Sequence, residues 1–261
     1  MQVRHQDRQI YFKEQIFTTE KYVIPFVEKA MSIDASKRIL EIGCGEGGNL
    51  APFLDLGCKV VGIDLNEGKI EKGKAYFETH EKRENIEFIF RDIYKIGLDE
   101  IGTFDLIIMR DVIEHIHDQE KFMGYVKKFL SKNGMIFFGF PPWQMPFGGH
   151  QQVCKNKIAS KLPYYHLLPT PIYAGLLKIF GEDPRRIKGL LEVKETGISI
   201  GRFEKILQKE HFKIENKTEF LINPNYQIKF NLTPRKQFSF ISAIPYFKNF
   251  LTTCSYYLVS V

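Results

Sequence analysis

Short apolar runs separated by polar, glycine-containing turns set the rhythm of the chain from residue 38 to residue 140. Arg38 to Ile42, Lys59 to Ile63, Ile86 to Phe90, Phe104 to Met109 and Met135 to Phe140 each read as a strand. Between them, Asn49 to Leu56, Glu67 to Thr79 and Gln119 to Leu130 place apolar residues at helical spacing. The first of these helices should stop at Gly57, since glycine ends helices at little steric cost. None of the strands alternates between apolar and polar residues, so both faces of each must be covered. That combination predicts an α/β fold built on a parallel sheet.

Outside this region the pattern differs. The first thirty residues read as helical, with Val23, Ile24, Phe26, Val27, Ala30 and Met31 favouring one face and Pro25 marking a kink or turn. Beyond Phe140 the rhythm breaks. Residues 141–197 carry Pro141, Pro142, Pro163, Pro169, Pro171, Pro184 and Gly148-Gly149 among many aromatics, and read as an insertion. A helix from about Ile198 to Lys209 follows, then strands over Phe212 to Leu221 and Phe250 to Val259 with an aromatic stretch between them. No internal repeat is present. The expectation is one domain over 1–261, with a core of about 1–140 and 198–261 and the insertion 141–197 laid over its edge.

Composition changes this picture little. The 261 residues are 44% hydrophobic and 26% charged, enough for a full core without disulfides. The net charge of +6 is spread along the chain with acids between, so no nucleic-acid arm is expected. Lys178, Arg185, Arg186, Lys188 and Arg235 leave an anionic acceptor or a lipid surface open. Cys44, Cys58, Cys154 and Cys254 form neither a Cys-x-x-Cys pair nor a zinc-ligand pattern. The polar start, Met1 to Arg8, has no signal-peptide core, and the apolar run Met135 to Trp143 is too short to cross a bilayer. A cytoplasmic setting is the expectation.

In a parallel sheet ligands bind beyond the C-terminal strand ends, where the topology changes direction. That directs attention to Gly43–Gly48, Asp64, Asp92 and Arg110–His115. Gly43, Gly45 and Gly48 satisfy G-x-G-x-x-G, and Asp64 follows where a dinucleotide fold places its ribose acid. An NAD-dependent oxidoreductase is therefore the rival reading. Charge argues against it. A pyrophosphate needs a helix N-terminus free of competing carboxylates, but Glu46 lies inside the turn and Glu41 just before it, and Asp92 and Asp111 lie at nearby strand ends. The sulfonium and ammonium of S-adenosylmethionine suit such a ring of acids.

Four segments in order carry a family resemblance. Glu41-Ile42-Gly43-Cys44-Gly45-Glu46-Gly47 resembles motif I of the class I S-adenosylmethionine-dependent methyltransferases, and Gly62-Ile63-Asp64 their ribose acid. Phe90-Arg91-Asp92-Ile93 resembles their adenine-contacting segment. Phe104 to Ile107 and Asp111 to Ile116 resemble the fourth-strand motif of the ubiquinone/menaquinone-biosynthesis-like branch. The resemblance covers residues 30–140, and the last two strands by topology only. It implies a Rossmann-like, seven-stranded, mostly parallel sheet with helices on both faces, an antiparallel last strand and an inserted lid.

By the same resemblance, Gly43, Cys44 and Gly45 meet the methionine part of the cofactor through their backbone, and Asp64 with Leu65 holds the ribose. Asp92 and Ile93 meet the adenine, the Arg110 carbonyl faces the cofactor ammonium, and Glu41 organises the turn by accepting backbone N–H groups. S-adenosylhomocysteine is the implied product. A non-catalytic cofactor-binding module is the alternative class.

The acceptor is read as a small molecule, aromatic, lipid-like or sugar-containing, methylated on oxygen by preference because the chain offers histidine bases. His150, after the fifth strand, is the first candidate, expected to face the transferred methyl from a mobile lid hinged at Gly148-Gly149. His115 is the second, following Glu114 at what reads as a helix start. Asp111, Glu114 and His115 copy the acid-x-x-Glu-His spacing proposed to hold a divalent ion in some quinone O-methyltransferases, although no metal is expected, since the same letters are common without one. Pro141-Pro142 follows the fifth strand, not the fourth, so it is not the Asn-Pro-Pro-Tyr signature of DNA amino methyltransferases. Trp143, Phe147, Tyr164, Tyr165, Tyr173, Phe180, Tyr226, Phe230, Phe238, Phe240 and Tyr246 read equally as acceptor walls or as an aromatic core of the late segments.

Overall fold

The computed structural model describes residues 8–261, and the polar start from Met1 to Asp7 lies outside them. Five strands run parallel: β1 (Arg38–Ile42), β2 (Lys59–Asp64), β3 (Ile86–Phe90), β4 (Phe104–Arg110) and β5 (Leu130–Phe140). Three follow later in the chain: β6 (Lys213–Ile222), β7 (Arg235–Lys236) and β8 (Cys254–Ser260). Together they make one sheet in the order β3-β2-β1-β4-β5-β8-β6-β7, with β8 antiparallel to both β5 and β6. The seven expected strands are present. The eighth, β7, pairs two residues with the end of β6, and so short a strand has no periodicity to read.

Successive side chains of the parallel strands point to opposite faces, and both faces are buried in β1, β2, β4 and β5, whereas the edge strand β3 is only partly covered. One core joins Leu40, Ile42, Val61, Ile63, Ile107 and Met109 to Phe122, Met123 and Val126 of α6 (Gln119–Val126) and to Phe203, Ile206 and Leu207 of α9 (Ile200–Lys209). The other joins Ile39, Val60, Leu106 and Ile108 to α2 (Ile24–Val27), α3 (Ala51–Asp55) and α4 (Glu67–Phe77). Ahead of α2, the helix α1 (Arg8–Thr18) continues through one π turn, Thr19–Val23. Pro25, which has no N–H to donate, falls directly after this π turn, where the helical hydrogen-bond ladder is already irregular. A short helix α5 (Leu98–Ile101) precedes β4.

The insertion is more regular than its composition suggests. It contains α7 (Thr170–Ile179) and α8 (Pro184–Thr196). Pro171 and Pro184 fall in the first turns of these helices, so they start structure here instead of breaking it. The pair buries a core of its own from Cys154, Tyr165, Tyr173, Leu177, Ile187 and Leu190, with Phe180 packed against it. Tyr165, Tyr173 and Phe180 are thus core residues. The remaining short helices, α10 (Tyr226–Phe230), α11 (Ser239–Ser242) and α12 (Lys248–Leu251), lie between β6 and β8. No helix among the described residues is long and apolar enough to cross a membrane.

His166 pins the insertion to the start of its own segment. Its Nε2 lies 2.9 Å from the Trp143 carbonyl and its Nδ1 3.2 Å from the Gln151 side-chain nitrogen. The carbonyl can only accept and the amide nitrogen can only donate, so the neutral Nε2–H tautomer satisfies both. Burial lowers the imidazole to about 4, below its usual 6.5. With the folded value depressed, the unfolded chain takes up the proton first. The stability contribution is complete above 6.5 and is lost as pH falls towards 4. The melting temperature should therefore drop between pH 7 and pH 4.5, and more steeply in the wild type than in His166→Gln. Equal slopes in thermal melts of the two proteins would remove His166 as the cause.

Candidate active site

At the end of β1 the chain must reverse to enter α3. Gly43, Gly45 and Gly47 do this at φ of 75°, 58° and 80°, a region that penalises any Cβ. At Gly43 a Cβ would also press against a Val112 methyl at 2.6 Å. The backbone nitrogens of Gly43 and Cys44 both donate to the Ile63 carbonyl, at 2.7 and 3.0 Å. Asp64, the last residue of β2, accepts from the Gly45 N–H and from the Asn66 N–H, both at 2.8 Å. Asn66 in turn caps α4 by accepting from the Lys69 N–H. The ends of β1 and β2 are thereby tied together.

A cavity of about 650 Å³ opens at these strand ends. Of the expected site residues, Gly43, Asp64, Leu65, Asp92, Ile93 and His115 line it. Asp92 also caps the short turn Ile93–Lys95, accepting from the Tyr94 N–H at 3.0 Å. Val112 and Ile116 of the fourth-strand motif also line it, and the sequence reading did not single out Tyr94, His117, Asp118, Lys121 and Phe122, which stand in the same wall. Most of these lie in the β4–α6 connection or the first turn of α6, where no pattern in the sequence marks a residue as facing a ligand.

Other expected residues lie behind this wall. Cys44 is fully buried, with its thiol packed where a Gly62 side chain would begin, so only its backbone is available to the cleft. Glu41 is buried and does not accept the backbone N–H groups expected of it. It accepts from the Asn49 side chain at 2.6 Å, its other oxygen has no partner among the described residues, and burial raises its carboxyl to about 8. The Asn49 carbonyl oxygen accepts from Arg110 Nη1 and from the Thr19 hydroxyl, each at 2.9 Å. Asn49, which the sequence did not flag, is the hub of this network.

Glu46 requires a further correction. Its buried carboxylate is bridged by both nitrogens of the Arg8 fork, with Nε at 2.6 Å from Oε1. It is neutralised within the fold and belongs to no ring of acids around a ligand. The acids that line the cavity are Asp64, Asp92 and Asp118, with Arg91 and Lys121 beside them. Asp111 is not part of that lining. It takes φ of 55°, keeps solvent access, and has its carboxyl raised by the protein packed around it.

The histidines come together. His150, also left-handed at φ 56°, lies with its ring 5.0 Å from that of His115, edge to face. Desolvation, then the neighbouring His150, lowers His115 to about 4, so it is neutral at pH 7. Glu114 was expected at a helix start. Instead Ile113–His115 is an isolated 3₁₀ turn, and α6 begins only at Gln119. Without that dipole, and with no other residue among those described bonding its carboxylate oxygens, burial drives the Glu114 carboxyl well above its usual range. Glu114, His115 and His150 each present a ligand atom within 4.8 Å of the others. The fold thus replaces the Asp111, Glu114 and His115 triple with a different one, in which Asp111 gives way to His150.

Gly148 and Gly149 are not built as a hinge. Both are buried, and a side chain at either would collide, with the Trp143 backbone or with His166. Their lack of a side chain serves close packing.

An open sheet in this order, reversing beside β1 and carrying a glycine turn after β1 and acids after β2 and β3, is the class I methyltransferase fold. Overall likeness is seen to a Pyrococcus horikoshii protein (TM-score 0.56, 18% identity, 95% of this chain and 90% of that one). It is also seen to magnesium protoporphyrin IX methyltransferase from Synechocystis (TM-score 0.53, 14% identity, 94% and 82%). The methyltransferase domain profile matches residues 12–151, more than half of the chain, and the chain belongs to that family. Curated relatives include ubiquinone biosynthesis O-methyltransferases of Rhizobium johnstonii, 37% identical over 101 residues, and Pelagibacter ubique, 33% over 100. These matches cover 38% of this chain and only 39% and 40% of the relatives' own lengths.

The network behind the glycine turn is open to test by stability. Asn49→Leu should lose about 2–4 kcal/mol, because Arg110 and Glu41 are both stranded. Glu41→Gln should cost less than about 1 kcal/mol, since the carboxyl is already held towards its neutral form. Urea titrations showing similar losses for both variants would refute Asn49 as the hub.

Proposed function

We propose that this protein transfers a methyl group from S-adenosylmethionine to an oxygen of a small acceptor that approaches over His115 and His150. The observation that carries the reading is one cleft with the glycine turn, Asp64 and Asp92 on one side and two adjacent imidazoles at its margin. The cradle suits the cofactor: a side chain at Gly43 would disturb the wall at Val112, and Asp64 and Asp92 stand ready to accept hydroxyl and amine protons. When bound, the cofactor supplies an electrophilic methyl on a good leaving group.

The residues of the chain then have to align the acceptor and remove one proton. As the carbon–oxygen bond forms and the carbon–sulfur bond breaks, the acceptor O–H proton passes to an imidazole nitrogen of His150. The insertion 141–197 serves as the acceptor-side cover, held to the β6–β8 connection by the Tyr164 hydroxyl, which donates to the Phe250 carbonyl at 3.1 Å. Oxygen is favoured over nitrogen because an amine acceptor needs no strong base. The names of the curated relatives agree with oxygen as the target.

A second reading has its own observation. One carboxylate and two imidazoles within 4.8 Å suit a borderline divalent ion, which would give the Glu114 oxygens the partner that the described residues do not supply. Turnover that survives exhaustive chelation favours the proton-acceptor reading, and turnover restored only by added metal favours the ion.

Two outcomes follow. Calorimetry should show binding of S-adenosylhomocysteine and none of NAD, with Asp64→Ala weakening the former by roughly 2–4 kcal/mol as two charge-assisted hydrogen bonds are lost. Unchanged affinity would take Asp64 out of the ligand site. His150→Ala should slow transfer by about 10²–10⁴ while cofactor affinity holds. A variant that loses melting temperature but keeps its rate would make His150 structural.

A further inference from the structure

From Phe220 to Val261 the chain carries Lys229, Arg235, Lys236 and Lys248 and no aspartate or glutamate. Lys248 is buried and paired with Glu219 at 2.9 Å, so it holds the fold. Arg235 and Lys236 are exposed and make no ion pair among the described residues, and Lys229 rests over the Phe230 ring. Between these basic positions and Lys248, residues 238–247 are free of charge and turn their large side chains outward. Phe238 is 53% exposed, Phe240 64%, Ile244 45%, Tyr246 67% and Phe247 46%. Helix α11 buries none of its residues, and Phe238 stacks on Phe240 at 5.5 Å. Large apolar side chains are normally exposed singly, and five within ten residues mark a contact surface.

The location of this tip is set by topology. β6 runs in the same direction as β5, since each is antiparallel to β8, and β8 starts beside the end of β5 with Ser255 opposite Phe140. The segment joining β6 to β8 therefore emerges at the sheet edge that bears the glycine turn and Asp64.

We propose that residues 226–247 dock the protein on an anionic lipid bilayer, with Phe238, Phe240, Ile244, Tyr246 and Phe247 entering the headgroup layer and Lys229, Arg235 and Lys236 meeting its phosphates. Aromatic and aliphatic side chains flanked by cations are what such an interface takes up, and it requires no register between them. A two-fold contact with a second copy would set Arg235 and Lys236 against their own equivalents. The uncharged tip offers few groups with which to read a specific protein partner. The inference is independent of the role given to His150, and it would bring the cleft edge to a membrane-dissolved acceptor.

Flotation of the full chain with vesicles tests it. The protein should float with phosphatidylcholine containing one-third phosphatidylglycerol and stay behind with phosphatidylcholine alone. Each basic residue at such a surface is worth about fivefold in partitioning, so the double variant R235E/K236E should lose at least roughly 25-fold. The variant F240S/Y246S should lose binding with an unchanged melting temperature, since both side chains are exposed. Failure of the wild type to float with the anionic vesicles would overturn the proposal. So would full binding by R235E/K236E, or a dimer in light scattering that F240S/Y246S dissolves.

Discussion

The carboxylate of Asp64 is the interaction on which the cleft depends. One oxygen fixes the Gly45 N–H and the other the Asn66 N–H, so one side chain sets the glycine turn and the start of α4 together. β1 lies between β2 and β4, the point where the order of the sheet reverses and where its strand ends diverge enough to admit a ligand. The left-handed conformations at Gly43, Gly45 and Gly47 are the backbone cost of turning there without filling the gap. Val112, arriving from the far side, leaves no room for a side chain at Gly43.

Behind the turn lies a polar layer unusual for an α/β core. Helix α1 buries Glu14, Gln15 and Thr18, and the neighbouring elements add Thr19, Glu41, Glu46 and Asn49. Arg8 cancels the charge of Glu46, and the Asn49 side chain bridges Glu41 and Arg110 by hydrogen bonds. Unpaired, such groups cost several kcal/mol; the Arg8–Glu46 and Asn49 contacts hold the N-terminal helix against the turn in one register, with about 2.7 Å between Gln15 Oε1 and the position a Gly48 side chain would take. The cofactor side of the cleft is therefore made rigid by segments far apart in the chain.

The acceptor side is assembled differently. The insertion carries a core of its own and reaches the catalytic edge through tight backbone packing at Gly148-Gly149 and the His166 clamp on Trp143. That packing delivers His150 to Glu114 and His115, residues that end a different strand. A neutral His115 and a Glu114 carboxyl driven towards protonation follow from the same cause, desolvation by the protein packed around them with few compensating hydrogen bonds.

The α/β class, the parallel strands and the residues at their ends were legible in the sequence, because local features carry them. Doubly buried strands show as apolar runs, and a turn that only glycine can make shows as glycines. The acids ending β2 and β3 stood where the sheet would present them, and Asp64, Asp92 and Ile93 do line the cavity. Helices α7 and α8 were missed because proline was read as a breaker, whereas in a first helical turn it lacks only a donor the helix does not use. The tertiary structure decided what depends on distant partners. Glu46 reads as a ligand-facing acid until Arg8, thirty-eight residues away, is seen to neutralise it. Glu41 reads as a turn organiser until Asn49 takes its hydrogen bond. Asp111 precedes Glu114 by three residues, yet His150 is the group that reaches Glu114 and His115, because spacing along a chain fixes neighbours only within one regular element, and this site is built from two.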